Sequence, residues 1–326
     1  MGLKSYKVRR SYKKEITRVI SFSCLAVVIF LLFWSQNNLI WVKNKVYSMH
    51  DVPATFNGYK IAHVSDLCNS SLNVSNKISK SKPDIIIVSG GFADDAGNVN
   101  NSIETLNRLN DIAPTYYIYN TRDIESGTSV TESTAKDMTG TTLRIKSDDM
   151  EFDDYILENF GSDILKGVER NSKSYTEKYD SLKEKYEDSL GSVITLSGIR
   201  TGLSGKELKQ ETYSLIGNNP DNLNILVVGD MNEVDDISKT TVDTVLVGGT
   251  FGTKLLSEEL VKGQYQKGSS TIFVTGGIGK VKEIDRIFNF PEIQLITLSD
   301  GSLTYNNPLE NMLNRIFNTV KDINSD

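Results

Sequence analysis

The chain has 326 residues, 38% of them hydrophobic and 24% charged, with 24 glycines and 6 prolines. That balance excludes a collagen-like, mucin-like or wholly disordered chain and leaves room for one large domain or two modest ones. Two cysteines exclude a disulfide framework or a cysteine-rich zinc module, and two histidines, His50 and His63, exclude any centre that needs three imidazoles.

The net charge of −6 is unevenly spread. Residues 1–18 carry Lys4, Lys7, Arg9, Arg10, Lys13, Lys14 and Arg18 against Glu15 alone, so the remainder is strongly acidic. An acidic body offers no electrostatic reason to bind nucleic acid, and no such partner is expected. From Val19 to Ser35 the chain reads VISFSCLAVVIFLLFWS without a charge, and Leu39–Val42 extend it past Gln36-Asn37-Asn38. A helix of about 20 apolar residues spans a bilayer. The run is longer than the core of an export signal, and no small-residue cleavage site follows it. The expectation is a basic cytoplasmic tail over 1–18 and an uncleaved single-pass anchor over 19–42, with the lipid bilayer as partner. Only Lys43 and Lys45 follow closely, so the positive-inside rule places the N-terminus in the cytoplasm and the body outside the cell membrane. Arg9-Arg10-Ser11-Tyr12-Lys13-Lys14 faintly imitates a twin-arginine signal, and a basic flank accounts for it equally well. Cys24 reads as a small hydrophobe inside the apolar run.

Residues 43–58, with Pro53 and Gly58, read as a connector. Beyond them, strands are expected at Tyr59–Ser65, Asp84–Ser89, Thr115–Tyr119, Val193–Ser197, Leu223–Val228, Thr244–Val247, Ser270–Thr275 and Glu292–Leu298. Helices are expected at Val74–Lys80, Val99–Asn110 and Lys206–Leu215. Alternation of this kind, with several continuously apolar strands, predicts a layered α/β fold around a buried sheet. Within 172–190, Tyr175, Tyr179, Leu182, Tyr186 and Leu190 form one seam of an amphipathic helical insertion. It packs on its own domain or, alternatively, receives a partner. Over 301–326, Asn307 can cap a helix with Pro308 at its first position, and Leu309, Met312, Leu313, Ile316, Phe317, Val320 and Ile323 form one apolar face.

In a buried α/β sheet, function gathers at the loops beyond the carboxyl ends of the strands. Here those loops read SDLCNSS, SGGFADD, YNTRD, VVGDMNEVDD and VLVGGTFGTK. Around them stand VPATFNGYKIAHVSDL, KPDIIIVSGGFADD, PTYYIYN, VDTVLVGGTFG and IFVTGGIGKVKEIDRIFNFPEIQLITL, in this order behind an apolar anchor. The chain so read resembles the calcineurin-like metallophosphoesterases, in particular their membrane-anchored bacterial branch. The resemblance implies an αββα sandwich over 59–300. For an active member it also implies two metal ions held by motifs of the type D-x-H, G-D-x-x-[DE], G-N-H-[DE], a lone His and G-H-x-H.

Carried over position by position, Asp66 keeps the first Asp and Cys68 stands for its His partner. Gly91 stands for the bridging Asp. Asn120, Thr121 and Arg122 stand for Gly, Asn and His, with Asp123 where an acid is usual. Asp230 stands for the lone His, and Gly249 and Phe251 for both His of the last motif. A bridging carboxylate offsets the repulsion between two cations, and Gly91 has no side chain to do so. Arg122 would repel a nearby cation. The expectation is therefore a degenerate member, a pseudoenzyme with no catalytic residue, cofactor or metal. It would bind or scaffold at the membrane, hold an unidentified protein or small molecule in the remodelled cleft, and pair Arg122 with Asp66 or Asp230. The alternative is a working phosphoric ester hydrolase that holds one divalent cation (Mg²⁺, Mn²⁺ or Ca²⁺) on Asp66 and Asp230, with Asp94, Asp95, Asp123, Glu233, Asp235 and Asp236 nearby.

Other features have plain readings. Val274–Lys280 imitates a dinucleotide loop but comes late in the chain, within text that belongs to the resemblance, and Gly248–Lys254 fails the P-loop spacing. His63 falls inside a strand and reads as a packed histidine, while His50 is far from the strand ends. Cys68 has no C-x-x-C partner to make it a redox centre.

Overall fold

The computed structural model describes residues 2–48, 52–146, 177, 179–184, 193–216, 223–237, 239–240, 242–248, 262–279 and 290–301. It begins with one long helix, α1 (Gly2–Asn38), which absorbs the basic tail. Its stretch Glu15–Leu32 has a mean hydropathy of 2.1 and no buried residues, so it is long and apolar enough to cross a membrane. The helix stops short of the expected boundary at residue 42. Trp41 and Val42 instead open strand β1 (Trp41–Ser48), and the supposed connector from residue 43 to residue 48 belongs to the same strand. The reason is tertiary. β1 pairs in parallel, residue for residue, with β12 (Glu292–Ser299) at the far end of the chain, a partner that local periodicity cannot reveal.

The first sheet also contains β2 (Lys60–Ser65), β3 (Ile85–Ser89), β4 (Thr115–Ile118) and β5 (Lys136–Asp137), in the order β1-β12-β2-β3-β4-β5. Its strands are parallel except where β12 meets β2. The second sheet holds β6 (Thr141–Lys146), β7 (Val193–Gly198), β8 (Leu223–Val228), β9 (Thr244–Val247), β10 (Gly263–Lys267) and β11 (Ser270–Val274), in the order β10-β11-β9-β8-β7-β6. Its inner strands are parallel, and both edge strands run antiparallel to their neighbours. All eight expected strands form, within a residue at either end. The unforeseen ones are β1, β5, β6 and β10. All four lie at sheet edges, where polar residues such as those of GQYQK blunt the apolar signal.

Helices cover the outer faces. α2 (Ser75–Ile78) and α3 (Asn100–Asn110) follow β2 and β3, and a short α4 (Thr121–Glu125) follows β4. In the second half, α5 (Gly205–Ile216) follows β7 and α6 (Val234–Ile237) follows β8. Three apolar clusters define the layers. Ile78, Leu106 and Leu109 pack on Ala62, Ile86 and Val88 outside the first sheet. Leu208, Ile216 and Ile237 pack on Leu226, Val245 and Ile272 outside the second. Ile61, Ile87 and Ile296 meet Leu196, Ile225 and Phe273 between the sheets. The molecule is thus a mixed α/β protein with two mixed sheets face to face. Of the 172–190 insertion, residues 179–184 are helical, with Leu182 buried; the rest of it, apart from Glu177, and residues 302–326 lie outside the described residues.

The layer between the sheets carries the fold, so a cavity there should be costly. Ile87→Ala is expected to destabilise the protein by about 2–5 kcal/mol. Ile124→Ala, at a position 59% exposed, should leave the thermal midpoint of the full chain nearly unchanged. Thermal unfolding of both variants in the same detergent checks the contrast.

Candidate functional site

The carboxyl ends of β2, β3 and β4 face those of β7, β8, β9 and β11 at one end of the sandwich. Backbone bonds tie the loops together there. Ile278 N–H donates to Ser65 O at 2.9 Å, Gly279 N–H to Asp66 O at 2.6 Å and Cys68 N–H to Gly91 O at 2.6 Å. Asp66, Cys68 and Asn69 hold left-handed backbones, with φ of 51°, 45° and 51°. Such a conformation is costly for residues with a Cβ and persists only where the surroundings enforce it.

Asp66 is fully buried, and the Ser65 hydroxyl donates to its Oδ2 at 3.0 Å. The loop after β11 closes over it so tightly that a Cβ at Gly277 would lie 2.5 Å from Asp66 Oδ2. The Cys68 side chain is buried and forms no disulfide. Beneath this loop His63 is also fully buried, with its Nε2 2.8 Å from Ser89 Oγ. Burial pushes its pKa down to about 3, against a weaker opposing bond from Gln294, so it stays neutral. That agrees with the packed histidine read from the sequence.

The third loop is organised by Asp123. Asn120 caps α4 and forms a capping box with Asp123: Asp123 N–H donates to Asn120 Oδ1 at 2.9 Å, and Asn120 N–H to Asp123 Oδ2 at 3.1 Å. The same carboxylate reaches across to the β3 loop. Gly91 N–H donates to Oδ2 at 2.7 Å and Phe92 N–H to Oδ1 at 2.9 Å. Asp123 is 1% exposed, and burial raises its pKa against these three amide bonds and the nearby Arg122 charge. Gly91, which the resemblance puts in the place of a bridging carboxylate, thus presents an N–H donor to another residue's carboxylate. Gly91 also holds φ 69°, which a side chain would strain.

Asp230, at the end of β8, joins the two sheets. Its Oδ2 accepts from Thr121 N–H at 2.8 Å, from Thr121 Oγ1 at 2.7 Å and from the Thr201 hydroxyl. Glu233 lies behind it and accepts from Gly202 N–H at 3.0 Å. Burial, and then the Asp230 charge, push the Glu233 pKa up to about 8 against the Gly202 and Thr201 bonds. Thr201 and Gly202 were not legible as site residues, because nothing local marks the loop after β7. The Asn120-x-x-Asp123 box did carry a readable sequence signature.

Arg122 differs from expectation. Its ion pair is with Asp95, at 2.9 Å on the rim, in place of the anticipated Asp66 or Asp230. A guanidinium partly in water avoids the desolvation that burial beside those carboxylates would cost. Asp94 is occupied by Ala96 N–H, Asn98 and the Asn69 side chain, which hold its pKa low. Asp235 and Asp236 pair with Lys267 and Lys239. Asp66 is bonded by the Ser65 hydroxyl and Asp230 by Thr121 and Thr201, and among the described residues no three His, Cys, Asp or Glu side chains are grouped as metal ligands. Gly249, Phe251 and His50 lie outside the described residues.

No protein-family model matches the sequence, and no curated protein matches it. Among solved structures, the protein TT1561 of Thermus thermophilus is similar at 14% identity and a TM-score of 0.39, over 68% of this chain and 90% of that one. A dimetal phosphatase from Danio rerio is similar at 8% identity and a TM-score of 0.31, over 68% of this chain and 88% of that one. Similarity at this level transfers no residue role, so the chemistry of the site rests on its own contacts.

Two outcomes follow from these contacts. Asp123→Ala leaves three inward-facing amides without an acceptor and should cost about 3 kcal/mol or more, read as a lowered thermal midpoint. The second concerns pH. Glu233 binds its proton more tightly when folded, with a pKa of about 8 against an ordinary 4.5, so it lowers stability as pH rises through that interval. His63 acts in the opposite sense, but only between about 3 and its ordinary 6.5. From pH 6.5 to 8, then, Glu233→Gln should flatten the fall in thermal midpoint seen for the unmodified chain.

Proposed function

We propose that this chain is a membrane-anchored protein of the metallophosphoesterase type in which hydrogen bonds within the protein have taken the place of the metal centre, and that it binds or scaffolds without hydrolysing phosphate esters. One observation carries the reading: of the three acids read at motif positions around the cleft, Asp66, Asp123 and Asp230, the last two spend their carboxylates on backbone amides and threonine hydroxyls. Cations need lone pairs directed into the site. What converges here is a set of donors (the N–H groups of Gly91, Phe92 and Thr121) already matched to acids, and the residues present do not fit a two-metal centre.

The carboxylates instead act as clamps. Asp123 ties the β4 loop to the β3 loop, and Asp230 ties the β4 loop to those after β7 and β8. The strand-end surface is held rigid without an ion, as suits a binding face whose partner, a protein or a small molecule, is unidentified. The α1 helix supports an anchoring role by its length and apolarity, and the basic flank argues for a cytoplasmic N-terminus.

The test uses the purified full chain in detergent. Metal content is measured, and bis-p-nitrophenyl phosphate and p-nitrophenyl phosphate are assayed with added Mn²⁺, Mg²⁺ or Ca²⁺. The expected result is no stoichiometric metal and no turnover above buffer, with no change in either for Asp66→Ala. Stoichiometric Mn or Fe, together with turnover that Asp66→Ala abolishes, would overturn the proposal in favour of a working hydrolase.

A further inference from the structure

The join between α1 and the first sheet has no slack. Leu39 N–H still donates to Ser35 O in the helix, at 2.9 Å. The next residue, Ile40, is buried in the apolar cluster outside the first sheet. The residue after that, Trp41, already donates its N–H to Pro291 O at 2.8 Å. Three consecutive residues thus belong to the helix, the core and the sheet in turn, and no flexible tether separates helix from domain.

Distance then limits where β1 can be. Gln36–Asn38 add about 5 Å of helix beyond the uncharged run that ends at Ser35, and Leu39-Ile40 add at most about 7 Å. The headgroup layer on each side of a bilayer is roughly 5–8 Å thick. The start of β1 is therefore held at or just above the headgroups, and what it presents there suits them. Trp41 is 44% exposed, and its ring stacks on Phe290, with centroids 4.4 Å apart and planes inclined by 20°. Lys43 Nζ lies 4.7 Å from the centre of the Trp41 ring. Lys45 shares the same strand face, because side chains two apart point the same way. On a body that is otherwise acidic, this aromatic and cationic patch sits where α1 joins the domain.

We propose that the Trp41–Phe290 stack, with Lys43 and Lys45, is a lipid-contacting foot of the folded domain, which seats the edge of the first sheet on anionic headgroups and fixes the tilt of the strand-end surface relative to the bilayer. The aromatic pair takes the interfacial level and the lysines meet lipid phosphates. The inference rests on the reading of α1 as a membrane anchor.

The chain has two tryptophans, Trp34 and Trp41, so each can be made the sole reporter. The full chain is reconstituted in nanodiscs of phosphatidylcholine and phosphatidylglycerol carrying nitroxide quenchers on the headgroup, at acyl carbon 5 or at acyl carbon 12. In Trp34→Phe, Trp41 emission should fall to roughly half with the headgroup or carbon-5 label and much less with the carbon-12 label, while aqueous iodide quenches it poorly. Adding Lys43→Glu should weaken the lipid quenching. The proposal is overturned if Trp41 is open to iodide and untouched by every lipid label, or if Lys43→Glu leaves the quenching unchanged. Trp34, measured in Trp41→Phe, separates the two readings. If lipid labels quench Trp34 but not Trp41, the anchor holds and the foot fails; if Trp34 also escapes, the anchor reading fails and the foot with it.

Discussion

The carboxylate of Asp123 meets a demand set by the fold itself. Loops that leave the carboxyl ends of parallel strands carry amide groups with no ladder partner, and here they are buried where water cannot serve them. Gly91, Phe92 and Asn120 bring three such amides to one point, and a single acid satisfies all three. That acid is held by a capping box at the start of α4, whose position follows from β4, so the geometry of the whole strand-end surface is referred back to the inner strands. An ionised carboxylate is costly to bury, and burial does press its pKa upward, but three short amide bonds oppose that.

Asp230 performs the same task between the sheets. Sheets that face each other across an apolar layer are free to slide unless something directional spans their ends. Asp230 supplies it, accepting from Thr121 on one sheet's loop and from Thr201 on the other's. Burial, and then the Asp230 charge beside it, raise the pKa of the neighbouring Glu233 and so oppose a second charge at this point. Placing Arg122 on the rim with Asp95 leaves this interior balance undisturbed.

At the opposite scale, the helix and the domain are coupled by β1. A strand that continues a helix after two residues, and whose partner β12 returns from the far end of the chain, joins the apolar helix α1 directly to the sheet. The register of that pairing places Trp41 beside Glu292 and brings Phe290 within stacking range. The sheet is thereby tied to α1 without the freedom that a flexible linker would allow.

The sequence by itself determined the apolar helix, the eight inner or near-inner strands, the α3 and α5 helices and the buried state of His63. Each of these is written in local periodicity, because burying one face or a whole strand demands apolar residues at set intervals. The expectation that imidazole and a bridging carboxylate are missing rests on the resemblance drawn from the sequence, which assigns the positions. Only the tertiary structure decided the rest. β1 was hidden because its composition also suits the end of a membrane span and its partner lies at the other end of the chain. Arg122 was referred to the wrong acids because solvation, not spacing, chose Asp95. Thr201 and Gly202 joined the site through contacts between loops far apart in sequence, and no local pattern encodes such a contact: it exists only once the two sheets have closed on each other.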